Sequence, residues 1–411
     1  MTENFGPIAG IRVLDMTRVV AGPFAGQMLG DLGADVVKIE RPVDGDDSRH
    51  VGPPWMLDAD GRQSAESTYF QAVNRNKRSV TINFADPAGA DLIRRLAAQS
   101  DVLLENYRTG TLAAYGLGYE DLKKINPRLI YCSLTGFGQT GPYSDRSGYD
   151  YLVQAMAGLM NVTGHHPGDP GAGPMRVGVA IADIVAGMFL AMAVLAALNR
   201  RHETGQGQAI DVALFDSQLA TMLNHHAAWF NSRVDIGPTG NDHPSAVPYG
   251  VFDVDDGHIL IATFNDREFA RVANVVGHPE WIDDPRFAKN PGRVANRRLI
   301  CSLINEALKG GTKAQWVERF NAAKVSCGPI NRMPDLERDE QVLGRGLVIE
   351  QPHPINGRVR TAANPMRFSE SPVRYRHPPP MRGQHTDDVL GDLLGLDAAA
   401  RAVVRGRGIV E

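Results

Sequence analysis

Cysteine is scarce in this chain: three in 411 residues, at Cys132, Cys301 and Cys327, far apart and in no C-x-x-C pair. This spacing argues against a disulfide framework or a cysteine-rich zinc site and fits a reducing compartment. The glycine fingerprint of dinucleotide binding is also missing. The first β-α turn reads Thr17-Arg18-Val19-Val20-Ala21-Gly22-Pro23, with one glycine where G-x-G-x-x-G needs three. Its backbone therefore cannot cradle a pyrophosphate in the NAD manner, which speaks against an NAD-dependent dehydrogenase. A P-loop and an H-E-x-x-H motif are absent, and the twelve histidines show no ligand spacing, so neither a metal nor NAD is expected. Excess positive charge is lacking too. A formal net charge of −4 gives no general attraction to nucleic acid or to a membrane surface. The most apolar run, Ile184 to Leu198, is about fifteen residues, short of the ~18–20 that span a bilayer, and reads as a buried core helix. The opening Met-Thr-Glu-Asn-Phe-Gly-Pro-Ile shows no basic region followed by an apolar stretch, so a cytoplasmic location is expected.

What is present is ordinary globular material: 43% hydrophobic and 22% charged residues, enough for a sizeable core and for two domains. Ile11 to Met16 is a short apolar strand, Pro23 suits the first turn of a helix closed by Gly33, and Asp35 to Arg41 is the next strand. The alternation continues with a strand over 78–84, a helix over 86–100 opened by Asp-Pro, a strand over 102–105, a helix over 119–125 and a strand over 129–134. This order indicates an α/β fold with an open parallel sheet and right-handed crossovers. A long apolar helix runs from Asp183 to Arg201, and a strand and helix follow over 210–230. Residues 1–230 are taken as the large domain, 231–248 as a linker rich in turn residues, and 249–330 as a small domain opening on a hairpin at Asp255-Asp256-Gly257. Residues 331–411 return to the large domain. Within them Pro352 to Pro380 reads as an extended arm, and a last helix over 386–394 has Thr386 as its N-cap.

Among the acids, Asp183 stands out because it opens the most apolar helix of the chain. A helix cap accounts for such an aspartate on position alone, since Asp is favoured there and interacts well with the helix dipole. The chemical alternative is a carboxylate with apolar walls that attacks an activated carbonyl and carries the acyl group covalently. Asp15, Glu105 and Asp150 compete for that role, and each has a structural reading of its own. Arg18, in the first loop, is a candidate phosphate contact, although a lone arginine is more often solvated.

Eight short stretches then fall in register with one family. They are Val13-Leu14-Asp15-Met16-Thr17 with Ala21-Gly22-Pro23, Leu32 to Arg41, Asn76-Lys77-Arg78-Ser79, Glu105-Asn106-Tyr107-Arg108, Gly136-Phe137-Gly138, Tyr149-Asp150, Ala182-Asp183, and Thr204 to Gln208. Together they resemble the class III, formyl-CoA transferase-like CoA-transferases, a family that also holds carnitine CoA-transferases, succinyl-CoA:dicarboxylate transferases and α-methylacyl-CoA racemase. The resemblance covers roughly residues 8–330. It implies a Rossmann-like, CoA-binding large domain, a smaller α+β domain and an interlocked homodimer. It makes Asp183 the catalytic aspartate and coenzyme A, as acyl-CoA, the co-substrate. It places Arg18, Ala21, Arg41, Asn106, Tyr107 and Arg108 against CoA, and Tyr149 and Asp150 near the thioester. Arginines suit such a ligand because a guanidinium forks onto phosphate and stacks on adenine, where lysine offers only a point charge.

Within the family the racemase branch is the alternative. It needs two proton-transfer groups and carries a histidine where this chain has Tyr149, whose ordinary pKa near ~10 makes a poor base at neutral pH. A non-catalytic CoA-binding protein would have no need of Asp183. Formyl-CoA transferases carry a run of glycines where this chain has Gly240-Asn241-Asp242-His243-Pro244, which turns the expectation away from oxalate and formate. The expected substrates are succinyl-CoA as donor and a short dicarboxylic acid as acceptor, with arginines or His243 holding the distal carboxylate.

Overall fold

The computed structural model describes residues 5–411. The chain alternates strand and helix from the start: β1 (Arg12–Asp15), α1 (Ala21–Asp31), β2 (Asp35–Glu40), a small hairpin of β3 (Trp55–Leu57) and β4 (Gln63–Ser67), then α2 (Thr68–Ala72) and β5 (Lys77–Thr81). Next come α3 (Pro87–Ala98), β6 (Val102–Glu105), α4 (Tyr119–Ile125), β7 (Ile130–Thr135), α5 (Asp150–Met156) and α6 (Leu159–Val162). The long α7 (Ile181–Thr204) leads to β8 (Ala209–Ala213), α8 (Leu214–Thr221) and α9 (Leu223–Ser232). Local chemistry sets several of these ends. Asp86 accepts from Ala88 N–H with Pro87 in the first turn of α3, and Gly205, in the left-handed region at φ 71°, terminates α7.

Six strands pair in the order β5-β2-β1-β6-β7-β8, and every pairing is parallel. Counted by sheet strand this is the 3-2-1-4-5-6 order of a doubly wound Rossmann-like sheet, whose strand order reverses between β1 and β6. The period of two explains why both faces are covered. Val13, Val36 and Val102 face one core with α1 and α7. Leu14, Val37 and Leu103 face the other, with α3, α4 and the C-terminal helices.

Helix α7 is 24 residues, longer than its apolar run because Asn199 to Thr204 continue it to the Gly205 stop. By length and composition it could cross a bilayer. Here Ala182, Ala186, Leu190, Val194 and Ala197 lie in the core. Gly187 lets it approach α1 so closely that a Cβ would stand 2.6 Å from the Ala21 carbonyl oxygen.

After α9 come β9 (Tyr249–Val254), β10 (Gly257–Ala262), α10 (Asp266–Val275), α11 (Asn290–Ala295), α12 (Arg297–Leu308), α13 (Lys313–Ala322), β11 (Ser326–Pro329) and α14 (Glu340–Gly344). The chain ends with β12 (Val348–His353), β13 (Gly357–Ala362), α15 (Thr386–Asp392) and α16 (Ala398–Gly406). Two compact units result. The first holds residues up to Leu159, Arg176–Phe230 and Gly344–Glu411; the second holds Met160–Met175 and Asn231–Leu343. The second unit has its own antiparallel β11-β10-β9 sheet and its own core around Phe252, Phe269, Phe320 and Ile304. It takes in residues 160–175 because Gly240 N–H donates to the Gly164 carbonyl and Asp242 pairs with His166.

Two C-terminal expectations need correction. The first part of the proline-rich arm is not an extended coil but the β12-β13 hairpin, in which Pro352 faces Arg358; prolines masked the strand pattern without preventing pairing. Thr386 is the first helical residue of α15 and not its cap: the N-cap is His385, and Thr386 Oγ1 accepts from Thr81 N–H at 3.2 Å.

Candidate active site

The loops after β1 and β6 meet at the point where the strand order reverses, where an open α/β sheet leaves a crevice. One residue ties them together: the Asn106 side chain accepts from Arg18 N–H at 2.9 Å and donates to the Arg18 carbonyl at 2.8 Å. Val19, a β-branched residue at φ 71°, is held in the left-handed region, with its N–H on Asp46 Oδ1 at 3.0 Å. Strain of this kind costs on the order of 1–3 kcal/mol and persists where surroundings fix it. Here it turns the chain into α1, whose N-cap Val20 offers no side-chain oxygen to the first-turn N–H groups.

A cavity of about 220 Å³ opens at this point, entirely within the first unit. Arg18, Ala21, Asn106, Tyr107, Arg108, Tyr149 and Asp183 all line it. Two of the other candidates lie elsewhere. Arg41 does not line the cavity; it is exposed and donates to Asp47 Oδ1 at 2.6 Å. Asp47 also takes Arg18 Nη1 at 3.0 Å, so one carboxylate bridges the two arginines. Asp150 is buried with its carboxylate turned to the protein. Oδ1 accepts from Ala182 N–H at 2.8 Å and Oδ2 from Gln154 Nε2 at 2.6 Å. It therefore holds the first turn of α7 instead of facing the crevice.

Asp183 is not the cap of α7. The helix begins two residues earlier, the N-cap is Ala180, and no side chain caps it. Among the described residues the Asp183 carboxylate has no hydrogen bond and no cationic partner, and it lines the cavity in the first turn of the helix. Burial, with the neighbouring Asp150 carboxylate adding to it, pushes its pKa up to about 7. A carboxylate in this state is weakly solvated and close to its midpoint at neutral pH, the condition expected of a working group.

Three further residues of the site carry no motif. Asp47, Arg146 and Leu214 line the cavity, and Arg146 stacks on the Tyr143 ring at 4.4 Å. They come from loops and a helix start that only the strand order brings together; the turn-rich stretch Gln139 to Gly148 is the one local hint for Arg146. Tyr107 is fixed in the wall, with Arg18 stacked on its ring at 4.7 Å and burial pushing its phenol up to about 12. Beneath it, Glu105 accepts from Tyr107 N–H at 2.8 Å. Burial pushes this carboxyl up to about 7, with Asp211 adding to the rise. The other acid beside the loops is paired: Asp15 meets Lys77 Nζ at 2.9 Å in the buried base of the site.

Residues 8–386 match the family model described as CoA-transferase family III. A succinyl-CoA:glutarate CoA-transferase of Mus musculus is 41% identical over 409 residues, 100% of this chain and 91% of that protein. A succinate–glutarate CoA-transferase of Agrobacterium fabrum is 41% identical over 400 residues, 97% and 99% of the two chains. The crystal structure of a CAIB/BAIF family protein from Brucella suis superposes with a TM-score of 0.85 at 40% identity, covering 95% of this chain and 100% of that one. With a parallel Rossmann-like sheet, an aspartate-bearing crevice at its switch point and a family match over nearly its whole length, the chain belongs to CoA-transferase family III and is a CoA-transferase.

Proposed function

We propose that this enzyme moves CoA from succinyl-CoA to a short dicarboxylic acid, with Asp183 as the covalent carrier. The observation that carries the reading is the Asp183 carboxylate itself: at the head of the crevice, unpaired, and raised to about 7. The relatives named for succinyl-CoA and glutarate supply the substrate class.

Ionised Asp183 attacks the thioester carbonyl, the C–S bond breaks, and CoA leaves as thiolate from a mixed anhydride. The thiolate attacks the Asp183 carbonyl of that anhydride, giving an aspartyl-CoA thioester and releasing succinate. The acceptor carboxylate then attacks the aspartyl thioester and expels the thiolate. The thiolate finally takes the acceptor acyl group from the second anhydride and frees Asp183. Each step exchanges one activated carboxyl for another, so atoms and charge balance without an oxidant. First-turn N–H groups of α1, left uncapped beside the cavity, are suited to stabilise the oxyanions. Arg18, Arg108 and Arg146 suit the phosphates and the adenine of CoA, and Arg41 becomes available where Asp47 gives way.

The working unit in this reading is an interlocked homodimer. Helix α7 exposes Met188, Phe189 and Met192, an apolar strip that a second copy would cover.

Incubation with succinyl-CoA followed by hydroxylamine or borohydride and peptide mass analysis tests the carrier. Modification at Asp183 is expected, in a protein whose native mass is that of two chains. Sustained exchange with Asp183 unmodified overturns the reading.

A further inference from the structure

A CoA-transferase acting on diacids must recognise the carboxylate that does not react, and in the function proposed above the cavity at the sheet's switch point takes CoA. With CoA filling that cavity, an acyl group bonded at Asp183 needs room beyond the cavity's lining. Among the described residues Arg176 offers a free cation there. It is exposed, lies outside the cavity lining, and has no carboxylate partner. Its hydrogen bonds are two from Nη1, to the carbonyls of Val177 at 3.3 Å and Gly178 at 3.1 Å. Its guanidinium stacks on the ring of Tyr151 at 4.4 Å, which fixes the plane and leaves donors unspent.

Helix α5 sets Arg176 and Asp183 in one frame. Gln154 Oε1 accepts from Val177 N–H at 3.0 Å, Gln154 Nε2 donates to Asp150 Oδ2, and Asp150 Oδ1 accepts from Ala182 N–H. The residue after Arg176 is thus fastened to Gln154 and the residue before Asp183 to Asp150, two side chains bonded to each other, and Tyr151, under the guanidinium, is on that helix too. Tyr69 closes the arrangement. Its phenol feels the charge of Asp183 and of Arg176 alike, as it does those of Tyr151 and Asp150.

We infer that Arg176 is the specificity-determining residue of the acyl subsite, binding the distal carboxylate of the diacid while its near carboxyl reacts at Asp183. This rests on the dicarboxylate reading above. A fork-shaped donor on an aromatic platform is suited to a planar carboxylate, and a charge-assisted pair of this kind is worth about 10–100-fold in binding.

The test compares wild type, Arg176→Ala and Arg176→Lys in exchange of free succinate with succinyl-CoA and of free butyrate with butyryl-CoA. In Arg176→Ala the ratio of kcat/KM for diacid over monoacid falls about 10–100-fold, mainly through the KM of the diacid, and Arg176→Lys recovers part of it. A merely structural role for Arg176 would depress both exchanges alike and leave the ratio unmoved. A wild-type preference for diacids that survives in Arg176→Ala overturns this inference alone. A wild type without any preference for diacids overturns the dicarboxylate reading, and this inference with it.

Discussion

Asp15 and Asp183 belong to the same unit of the molecule, and their surroundings are opposite. Asp15 is fully buried at the end of β1, yet its carboxyl lies below the ordinary value. Burial pushes it up, and Lys77, Lys38 and the Thr17 hydroxyl together outweigh that push. It holds Lys77 at 2.9 Å and Thr17 Oγ1 at 2.5 Å, and all of these groups are buried. Asp183 is less deeply placed, but with no cation beside it, burial and Asp150 decide, and its pKa rises to about 7. Pairing, more than depth, separates a carboxylate that holds the fold from one free to react.

The largest effect that this contrast predicts is on turnover. Asp183→Asn should leave the fold and CoA binding intact and lower exchange on the order of 10³-fold or more, as expected when a covalent carrier is lost. Its stability should change in the unusual direction. A carboxyl whose folded pKa is raised favours the folded state below its unfolded value near 4, and that contribution is lost as pH rises through about 7. An asparagine escapes the loss. Melting curves at pH 8 should therefore place Asp183→Asn above wild type by on the order of 2 kcal/mol, the gap closing toward pH 5. A variant as active as wild type breaks the comparison outright.

Asp15→Asn should do the reverse. It strands the buried ammonium of Lys77, whose remaining partners are the Pro23 carbonyl at 2.7 Å and Asn74 Oδ1 at 2.9 Å. The expected cost is about 3–5 kcal/mol of stability, read in urea, with exchange by the protein that remains folded reduced far less than in Asp183→Asn. If the two variants lost stability alike, the distinction between a structural and a reactive carboxylate would fail.

Much of this was legible before the fold was known, and the reasons differ by residue. Asp86-Pro87 and the Gly205 turn announce helix ends through local chemistry, so the strand-helix order follows from the chain itself. Asp183 is conspicuous because its helix is apolar, but its true position two residues inside the first turn depends on Asp150, 33 residues earlier, holding Ala182. Which loops share the crevice depends on β1 pairing with β6, a long-range choice that no local pattern encodes. Asp47 and Arg146 escape a reading of the chain for that reason: each is an ordinary loop residue until the sheet assembles. The β12-β13 hairpin was hidden by its prolines, which lower strand propensity without forbidding an isolated two-stranded ribbon.

The finest test separates the two causes of the Asp183 shift. Burial is the larger and the Asp150 charge the second. In the proposed mechanism only the ionised carboxylate attacks, so the exchange rate of wild type should fall on the acid side with an apparent pKa of about 7. Asp150→Asn removes the like charge, so the acid limb should move to lower pH by less than about one unit. The substitution also disturbs geometry. An amide cannot accept from both Ala182 N–H and Gln154 Nε2, and Gln154 is held in its orientation by Val177 N–H. The two consequences are read at different ends of one profile. Above pH 8.5 Asp183 is ionised in both proteins, so the height of the plateau there reports the position of the first turn of α7, and the midpoint reports the charge. A lowered plateau with an unmoved midpoint would make Asp150 a purely positional residue and leave burial as the sole reason that Asp183 differs from Asp15.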